Sequence, residues 1–227
     1  MKRPYPASLH PVTGLALCLS IALFSAGCVP PSVATKQDSN PMLKVANSED
    51  AESASRRTKD MAEWVVSSKD NRNKPFAIVD KVNAKVHVFR ADGKSYGEAP
   101  VLLGLAKGDH SVPGIGNKTY AQIKPEERTT PAGRFEAMMG KNHKGKEILW
   151  LDYEQALSMH AVVKGIPRDR RAQRLASATP LDNRISYGCI NVPVPYFKEV
   201  IQGNFSGTGG VVYIMPETGQ FKAAPKS

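Results

Sequence analysis

Cysteine and aromatic residues are scarce in this chain of 227 residues, and long apolar runs are absent from its body. Three cysteines cannot form a disulfide framework, and no CxxC pair is present to bind zinc. No apolar run after the N-terminal segment reaches the length of a membrane-spanning helix. The aromatic content of 7% and the 17 prolines favour a strand-and-turn protein over a helical bundle. A hydrophobic content of 41% is sufficient for the core of one domain, which excludes wholesale disorder.

The N-terminus has the three parts of a secretory signal. Lys2 and Arg3 precede an apolar stretch over residues 15–24, and small residues follow up to Cys28. We therefore predict that residues 1–27 are a signal peptide. A cysteine directly after small residues resembles a bacterial lipobox, in which the thiol of Cys28 receives a lipid and becomes the new N-terminus. Ordinary cleavage, or an uncleaved anchor, is the alternative.

The predicted export changes how the charge and the cysteines are interpreted. The formal net charge of +10 would suggest nucleic acid as the partner of a cytosolic protein, but an exported protein meets anionic polymers of the cell envelope. A solvated basic surface is the alternative. With Cys18 removed and Cys28 lipidated, Cys189 is the only free thiol, which makes it a candidate reactive group. We expect a protein of the cell envelope or periplasm, anchored to a membrane by its lipid, that binds no nucleic acid.

The rest of the chain divides into four segments by composition. Residues 28–47 are rich in Pro, Ser, Asn, Lys and Asp and are predicted to be a flexible tether. Residues 48–74 are predicted to be a helical and linker segment. Its helix, over residues 48–69, would pack Met61, Trp64 and Val65 on the main domain. The main domain is predicted to span residues 75–216, and residues 217–227 a loose tail.

Short apolar runs separated by turns fill the main domain. Val86 and Val88 alternate with His87 and Phe89 in a strand predicted over residues 85–89, and Asp92-Gly93 is a strong hairpin signal. Further strands are predicted over residues 76–80, 98–105, 134–139, 148–153, 157–163 and 211–215, and short helices over 167–176 and 193–201. Many short strands joined by turns predict a mainly β fold, a sandwich or barrel with a few short helices.

One short segment combines residue types that carry out nucleophilic chemistry. Cys189 lies in the run Ser186–Asn191, and the preceding predicted strand contributes His160. A thiol and an imidazole on neighbouring strands can form a thiolate–imidazolium pair, which lowers the pKa of the thiol. Gly188 lets the backbone approach a substrate closely, so the N–H groups of Gly188 and Cys189 are candidates to bind an oxyanion. Taken alone, a single cysteine is more often a small buried apolar residue.

These residues resemble the catalytic domain of the L,D-transpeptidase (YkuD) family of bacterial cell-wall enzymes. The family has a His, a spacer and then Ser/Thr-His-Gly-Cys-hydrophobic-Asn/Arg. The matching positions here are His160, Ser186, Gly188, Cys189, Ile190 and Asn191. The block Thr130–Phe135 also matches the upstream Thr-Pro-x-Gly-x-Phe of the family. The resemblance covers residues 75–216 and implies an L,D-transpeptidase-like sandwich or barrel.

The resemblance also implies a mechanism. Cys189 is the nucleophile that forms a thioester with a peptidoglycan tetrapeptide stem, and His160 is the proton donor and acceptor. D-Alanine is released, and an amine accepts the acyl group. The residues expected around the pair are Ala161, whose carbonyl holds the imidazole tautomer, and Ser186, Tyr187, Gly188 and Asn191.

Two departures from the family pattern bear on this prediction. Tyr187 stands where the family usually has a second His, and its hydroxyl can hydrogen-bond but has no near-neutral pKa. The spacer between the two parts of the motif is longer than usual and rich in arginine. One hypothesis is that its helix is a substrate-facing lid, with Arg170, Arg171 and Arg184 binding the carboxylates of stem peptides. A solvated helix face is the more common role of such a charged helix and is the favoured alternative.

The sequence leaves three functions open. Transfer to an amine is the leading hypothesis, and hydrolysis of the same thioester would make the protein an L,D-carboxypeptidase. A catalytically inactive wall-binding lipoprotein is the third, suggested by Tyr187. No cofactor or metal is expected, since no two histidines have the spacing of metal ligands. The glycine-rich residues 104–116 lack the GxxxxGK[ST] pattern, so nucleotide binding is not supported.

Overall fold

A computed structural model of the protein describes residues 41–217 and 221. The predicted signal peptide, the lipidation site Cys28, most of the predicted tether and most of the predicted tail lie outside the described residues. Within the described part of the chain, no helix is both long and apolar enough to cross a membrane.

The described residues contain ten strands. They are β1 (Phe76–Asp80), β2 (Lys85–Phe89), β3 (Ser95–Pro100), β4 (Leu103–Gly104), β5 (Gly133–Lys141), β6 (Glu147–Asp152), β7 (Leu157–Ala161), β8 (Arg184–Ser186), β9 (Ile190–Val192) and β10 (Gly210–Ile214). Eight of them form one sheet in the order β3-β2-β1-β10-β5-β6-β7-β9, while β4 pairs with β8. The prediction of a mainly β fold is confirmed.

The large sheet is mixed and nearly closed. Neighbouring strands are antiparallel except β1 with β10 and β7 with β9, which are parallel. A bridge between Leu102 and Asn191 joins the edge strand β9 to the segment that leaves β3, the other edge strand. The two edges of the sheet are therefore brought together at Asn191, beside the predicted nucleophile.

Strands β1 and β10 are buried on both faces, as their continuous apolar sequences require. One face lies in the main core, which the sheet wraps around. The buried residues of this core include Val79, Val86, Leu103, Leu149, Met159, Ile190, Phe197, Ile201, Phe205 and Val212. In β2 only Val86 and Val88 are fully buried, which confirms the alternation seen in the sequence.

The other face of β1 and β10 is covered by the helix α1 (Pro41–Ser68). Met61 and Val65 are buried against this face, and the ring of Trp64 makes an edge contact with Tyr213 at 6.4 Å. The predicted packing of this helix face is confirmed. The helix begins at Pro41 rather than near residue 48, so it includes residues assigned to the tether.

The remaining helices are short. A 3₁₀ turn (Pro167–Asp169) precedes α2 (Arg171–Leu175) within the predicted arginine-rich helix. The last helical segment comprises α3 (Val194–Tyr196), a π-helical stretch (Phe197–Gln202) and α4 (Gly203–Phe205). Further 3₁₀ turns are Ile115–Asn117, Pro125–Glu127 and Pro180–Asn183.

Candidate active site

The parallel pair β7–β9 positions the thiol and the imidazole. Met159 pairs with Ile190 and His160 with Asn191. Met159 and Ile190 are fully buried in the core. Because successive side chains of a strand point to opposite faces, His160 and Cys189 both lie on the face away from that core. The structure thus brings together the two residues that the sequence assigned to catalysis.

His160 and Cys189 form a hydrogen-bonded pair. Nδ1 of His160 lies 2.9 Å from the carbonyl oxygen of Ala161, which places the ring proton there and leaves Nε2 for the sulfur. Burial opposes charge on both groups, but their hydrogen bond and mutual charge outweigh it. The pKa of Cys189 is lowered and the pKa of His160 is raised, so a thiolate–imidazolium pair is favoured.

Ser158 is a further contact of the sulfur, which the sequence did not indicate. Its Oγ lies 3.5 Å from Sγ of Cys189, and its backbone N–H also donates to the sulfur. Both donors lower the pKa of Cys189. The carbonyl oxygen of Ala156 lies 3.4 Å from the sulfur and accepts from the protonated thiol. Position 158 is two residues before His160 on the same strand. This spacing places both side chains on the same face and was the available signal that Ser158 lies near the sulfur.

A tight turn presents Cys189. Gly188 has φ of +128°, and a Cβ there would lie 2.8 Å from the carbonyl oxygen of Thr129, so both conformation and space require glycine. The buried hydroxyl of Thr130 donates to the carbonyl oxygen of Gly188 at 2.7 Å and accepts from the N–H of Gly104 at 2.8 Å. The Thr130–Phe135 block therefore supports the nucleophile through its first residue.

Ser186 and Asn191 hold the carbonyl group of Cys189. Ser186 Oγ donates to this oxygen at 2.6 Å, and Asn191 Nδ2 donates to it at 3.2 Å. Ser186 Oγ also accepts from the N–H of Gly188 at 3.1 Å. The expectation that the Gly188 amide binds an oxyanion is therefore corrected, since that N–H is already used. The N–H of Cys189 has no hydrogen-bond partner among the described residues and is the amide left for that role.

Tyr187 lies in a cluster of two tyrosines and an arginine. The guanidinium carbon of Arg128 lies 4.1 Å from the ring centroid of Tyr187, and the ring of Tyr120 lies 4.9 Å from it. Partial burial raises the pKa of Tyr120, and the negative charge of the Cys189 thiolate raises it further. Tyr120 and Tyr187 are thus close enough to the sulfur to form a wall of the site. Sequence analysis missed Tyr120 and Arg128, because both belong to a loop far from Cys189 in the chain.

The three arginines predicted to bind substrate have different surroundings. Arg171 donates to Asn191 Oδ1 at 3.1 Å and pairs with Asp169 at 3.2 Å. Its charge also opposes protonation of His160. Arg171 therefore orients Asn191, which in turn donates to the carbonyl oxygen of Cys189. Arg170 is exposed, and its side chain makes no hydrogen bond or ion pair with a described residue of the site.

Arg184 belongs to a buried ionic cluster, which corrects its expected role in substrate binding. Its Nη2 donates to Glu217 at 2.7 Å and to the carbonyl oxygen of Lys81. The Lys81 ammonium is fully buried and lies 2.6 Å from Asp109 and 3.8 Å from Glu217. Two cations and two carboxylates thus tie β8 to the start of the loop that carries Arg128. Glu217, predicted to begin a loose tail, is fixed in this cluster.

An aromatic pair extends the same face of the sheet. Trp150 on β6 lies opposite Ser158 and stacks on Tyr153 with ring centroids 4.6 Å apart. A Cβ at Gly140 would lie 2.9 Å from the indole, so glycine leaves room for the ring to lie across β5. Trp150 is therefore partly exposed beside the site instead of lying in the core. Among the described residues, no cluster of His, Cys, Asp and Glu could hold a metal ion.

Comparison with known proteins gave a small number of distant structures. No family model and no curated protein matches this chain. It is similar to the helical cell shape determining protein Pgp2 from Campylobacter jejuni, with 16% identity, a TM-score of 0.42, and 67% of this chain and 50% of that chain covered. It is also similar to LD transpeptidase LdtMt1, solved in complex with imipenem, with 14% identity, a TM-score of 0.34, and 62% and 58% covered. The chain thus spans between half and three-fifths of the length of these structures, and function is inferred from the residues of the site.

Proposed function

We propose that the protein is a peptidoglycan L,D-transpeptidase with Cys189 as nucleophile. The observation that carries the proposal is the hydrogen-bonded pair of Cys189 and His160, in which the pKa of the thiol is lowered. A partly exposed thiolate can attack a carbonyl carbon and hold the acyl group as a thioester. The resemblance of the motif from Ser186 to Asn191 supplies the substrate class, peptide stems of the cell wall.

The first half-reaction forms a thioester. The thiolate of Cys189 attacks the carbonyl carbon before the terminal D-alanine of a tetrapeptide stem. The oxyanion that develops accepts a hydrogen bond from the N–H of Cys189. The imidazolium of His160 then gives its Nε2 proton to the leaving amine, the C–N bond breaks, and D-alanine departs.

The second half-reaction releases the sulfur. An amine of a neighbouring stem attacks the thioester, and neutral His160 takes a proton from that amine at Nε2. The C–S bond breaks, and the sulfur leaves as a thiolate beside the imidazolium. Throughout both steps the Ala161 carbonyl holds the Nδ1 proton, so Nε2 is the nitrogen that gains and loses one. Water in place of the amine would give an L,D-carboxypeptidase.

Mass spectrometry of the intact protein after incubation with a tetrapeptide stem tests the proposal. We expect an adduct equal to the stem without its D-alanine, mapped by proteolysis to Cys189. Cys189→Ser should abolish the thioester, while Cys28→Ser, which changes the other cysteine of the predicted mature protein, is the matched control that should keep it. No adduct on wild-type Cys189 with substrate or with a carbapenem would favour an inactive wall-binding protein.

Analysis of the muropeptide products separates the two enzyme activities. Cross-linked dimers in the presence of wild-type protein indicate transfer, whereas tripeptides without dimers indicate hydrolysis. Both products should disappear in Cys189→Ala. Wall chemistry that persists unchanged in that variant would contradict both activities.

We also propose that the protein acts outside the cytoplasm, anchored through Cys28. This proposal is supported by the sequence of residues 1–28 and by the substrate, which lies in the cell envelope. Metabolic labelling with a tagged fatty acid should mark the wild-type protein and should not mark Cys28→Ser. Equal labelling of both proteins would contradict lipidation at Cys28.

A further inference from the structure

We propose that Arg128, held against Tyr187 beside the nucleophile, binds the C-terminal carboxylate of the acyl donor. This inference deepens the proposed function and rests on it for the identity of the donor. It replaces Arg184 as the expected carboxylate ligand, since the side chain of Arg184 is already bound within the ionic cluster.

The guanidinium of Arg128 is fixed on one side and open on the other. Its Nε and Nη2 donate to the carbonyl oxygen of Ile123 at 3.3 and 3.2 Å. Its carbon lies 4.1 Å from the ring centroid of Tyr187, a cation–π distance. Nη1 has no hydrogen bond to any described residue. An arginine restrained in this way keeps an N–H group available at little further entropic cost.

The backbone at Arg128 lies against the turn that carries the sulfur. The carbonyl oxygen of Thr129, the next residue, lies 2.8 Å from where a Cβ of Gly188 would be, and Thr130 hydrogen-bonds to Gly188 itself. Tyr187 and Cys189 flank that same glycine. Because the guanidinium lies over Tyr187, two residues from Cys189, we place it within reach of a substrate whose carbonyl is attacked by Cys189.

The charge of Arg128 is not balanced within the described part of the chain. Its neighbour Glu127 pairs instead with Lys118 at 2.6 Å and accepts from the N–H of Lys124 at 3.0 Å. No carboxylate among the described residues forms an ion pair with Arg128. By contrast, Arg171 is paired with Asp169. A fixed, unpaired guanidinium beside a nucleophile recognises an anionic group, and a carboxylate matches its planar donors best.

The C-terminal carboxylate is the group that this position selects. The carbonyl attacked by Cys189 belongs to the bond that holds the terminal residue, so the free carboxylate lies one residue away from the sulfur. Tyr120 and Tyr187 then contact the small side chain of that residue. An arginine at this position would favour a donor with only one residue after the attacked bond over a longer donor. The longer donor has an uncharged peptide bond where the shorter one has its carboxylate.

Alkylation of Cys189 by two reagents of similar size tests the proposal in the full chain. Iodoacetate carries a carboxylate next to the carbon that the sulfur attacks, and iodoacetamide carries a neutral amide. We expect Arg128→Gln to slow iodoacetate by about tenfold and to leave the iodoacetamide rate within about twofold. Arg128→Lys should be intermediate for iodoacetate. Arg90→Gln, which changes an exposed arginine directly after β2, is the matched control and should alter neither rate.

The outcomes are distinct. Equal slowing with both reagents would mean that Arg128 only shapes the turn, and unchanged rates would mean that it binds no carboxylate near the sulfur. Either result overturns the proposal. Because the reagents alkylate any reactive thiol, this experiment remains informative if the protein fails to process stem peptides. Peptide mapping assigns the measured rate to Cys189, because unprocessed protein also carries the thiols of Cys18 and Cys28.

A second measurement uses the donor. For a tetrapeptide with a free C-terminus, Arg128→Gln should raise KM by about tenfold with a smaller change in kcat. For the same peptide with a C-terminal amide, wild type and variant should have the same KM. A variant that raises KM equally for both peptides would contradict recognition of the carboxylate.

Discussion

The hydroxyl of Thr130 donates a hydrogen bond of 2.7 Å to the carbonyl oxygen of Gly188, so two sequence blocks that are far apart in the chain meet at the nucleophile. Thr130 is fully buried, and its hydroxyl also accepts from the N–H of Gly104. The contact explains why a threonine distant from Cys189 matters to its position. It also predicts how the turn responds when this hydroxyl is removed.

Thr130→Val keeps the shape of the side chain but removes both hydrogen bonds. Because the Gly188 carbonyl and the Gly104 N–H would stay buried without partners, we expect the free energy of unfolding to fall by about 2–4 kcal/mol. The rate of Cys189 alkylation by iodoacetamide should fall as well. Thr129→Val is the matched control, expected to change stability by less than about 1 kcal/mol. Equal urea midpoints for the two variants would contradict this role of Thr130.

Gly188→Ala should be among the most damaging small substitutions in the domain. The new Cβ combines a strained positive φ with a 2.8 Å contact to the Thr129 carbonyl, and we expect a loss of about 2–4 kcal/mol. Gly97→Ala is the matched control, since Gly97 has nearly the same φ of +126° but no atom within 4 Å of its Cβ position. It should lose only about 1 kcal/mol. Thermal melting that ranks Gly97→Ala as the worse variant would refute the steric argument.

The reactivity of Cys189 should extend to lower pH than that of an ordinary thiol. The thiolate is the reactive form, and the lowered pKa of Cys189 means that the thiolate is lost only as pH falls through this lowered value. His160→Gln removes the imidazolium, so the pKa should rise and alkylation at pH 6 should slow by at least about tenfold. Rates with iodoacetamide across pH 4–10 measure the shift.

Two further variants sharpen that experiment. Ser158→Ala removes one donor to the sulfur and should move the profile in the same direction by a smaller amount. His87→Gln changes a histidine of β2 that pairs with Glu98 of β3, and it should leave the profile unchanged. If the wild-type and His160→Gln profiles coincide, the thiol does not depend on the imidazole.

Lys81→Met should destabilise the protein by about 3–5 kcal/mol, because it leaves the cluster of Asp109, Glu217 and Arg184 with unbalanced buried charge. Lys85→Met, which removes an exposed pair with Glu98, is the matched control and should lose less than about 1 kcal/mol. Urea unfolding at pH 7 distinguishes them. A smaller loss for Lys81→Met than for Lys85→Met would contradict the importance of the cluster.

The same cluster predicts a dependence on acid. Burial alone would raise the pKa of Asp109, but the hydrogen bonds from Lys81 and from the N–H of Glu217, together with the charge of Lys81, outweigh burial and lower it. A carboxyl whose pKa is lowered on folding contributes stability above its unfolded pKa and loses that contribution as pH falls through the folded value. Burial also lowers the pKa of Lys81, so its charge is costly without its partners. Stability should therefore depend less on acid pH in Lys81→Met than in wild type.

Local patterns were sufficient to predict much of the fold. Strands β1 and β2 were predicted with their observed ends. In both, alternating or continuous apolar residues, many of them β-branched, lie between turns, and this pattern favours a strand over a helix. The pair of Cys189 and His160 was found through residue type and motif. Strand β8 was not predicted, since it is three residues long and is defined by its partner β4.

The parts that sequence could not predict depend on contacts between distant segments. Nothing in the sequence indicates that Arg184 and Arg128 have different surroundings. In the structure, Arg184 binds Glu217 in a buried cluster, whereas Arg128 lies over Tyr187. Ser158 looks like any polar residue of a sheet until Cys189 is placed against it. The use of the Gly188 N–H by Ser186 likewise depends on the folded turn.

The position of Trp150 gives the protein an internal optical probe. Its indole lies opposite Ser158, whose hydroxyl contacts the sulfur, and the chain has only two tryptophans. The other, Trp64, is in the helix on the far side of β1 and β10. Trp64→Phe therefore leaves a single tryptophan, close to the reaction centre, and we expect its emission to follow the loading and unloading of Cys189 in real time without any attached dye.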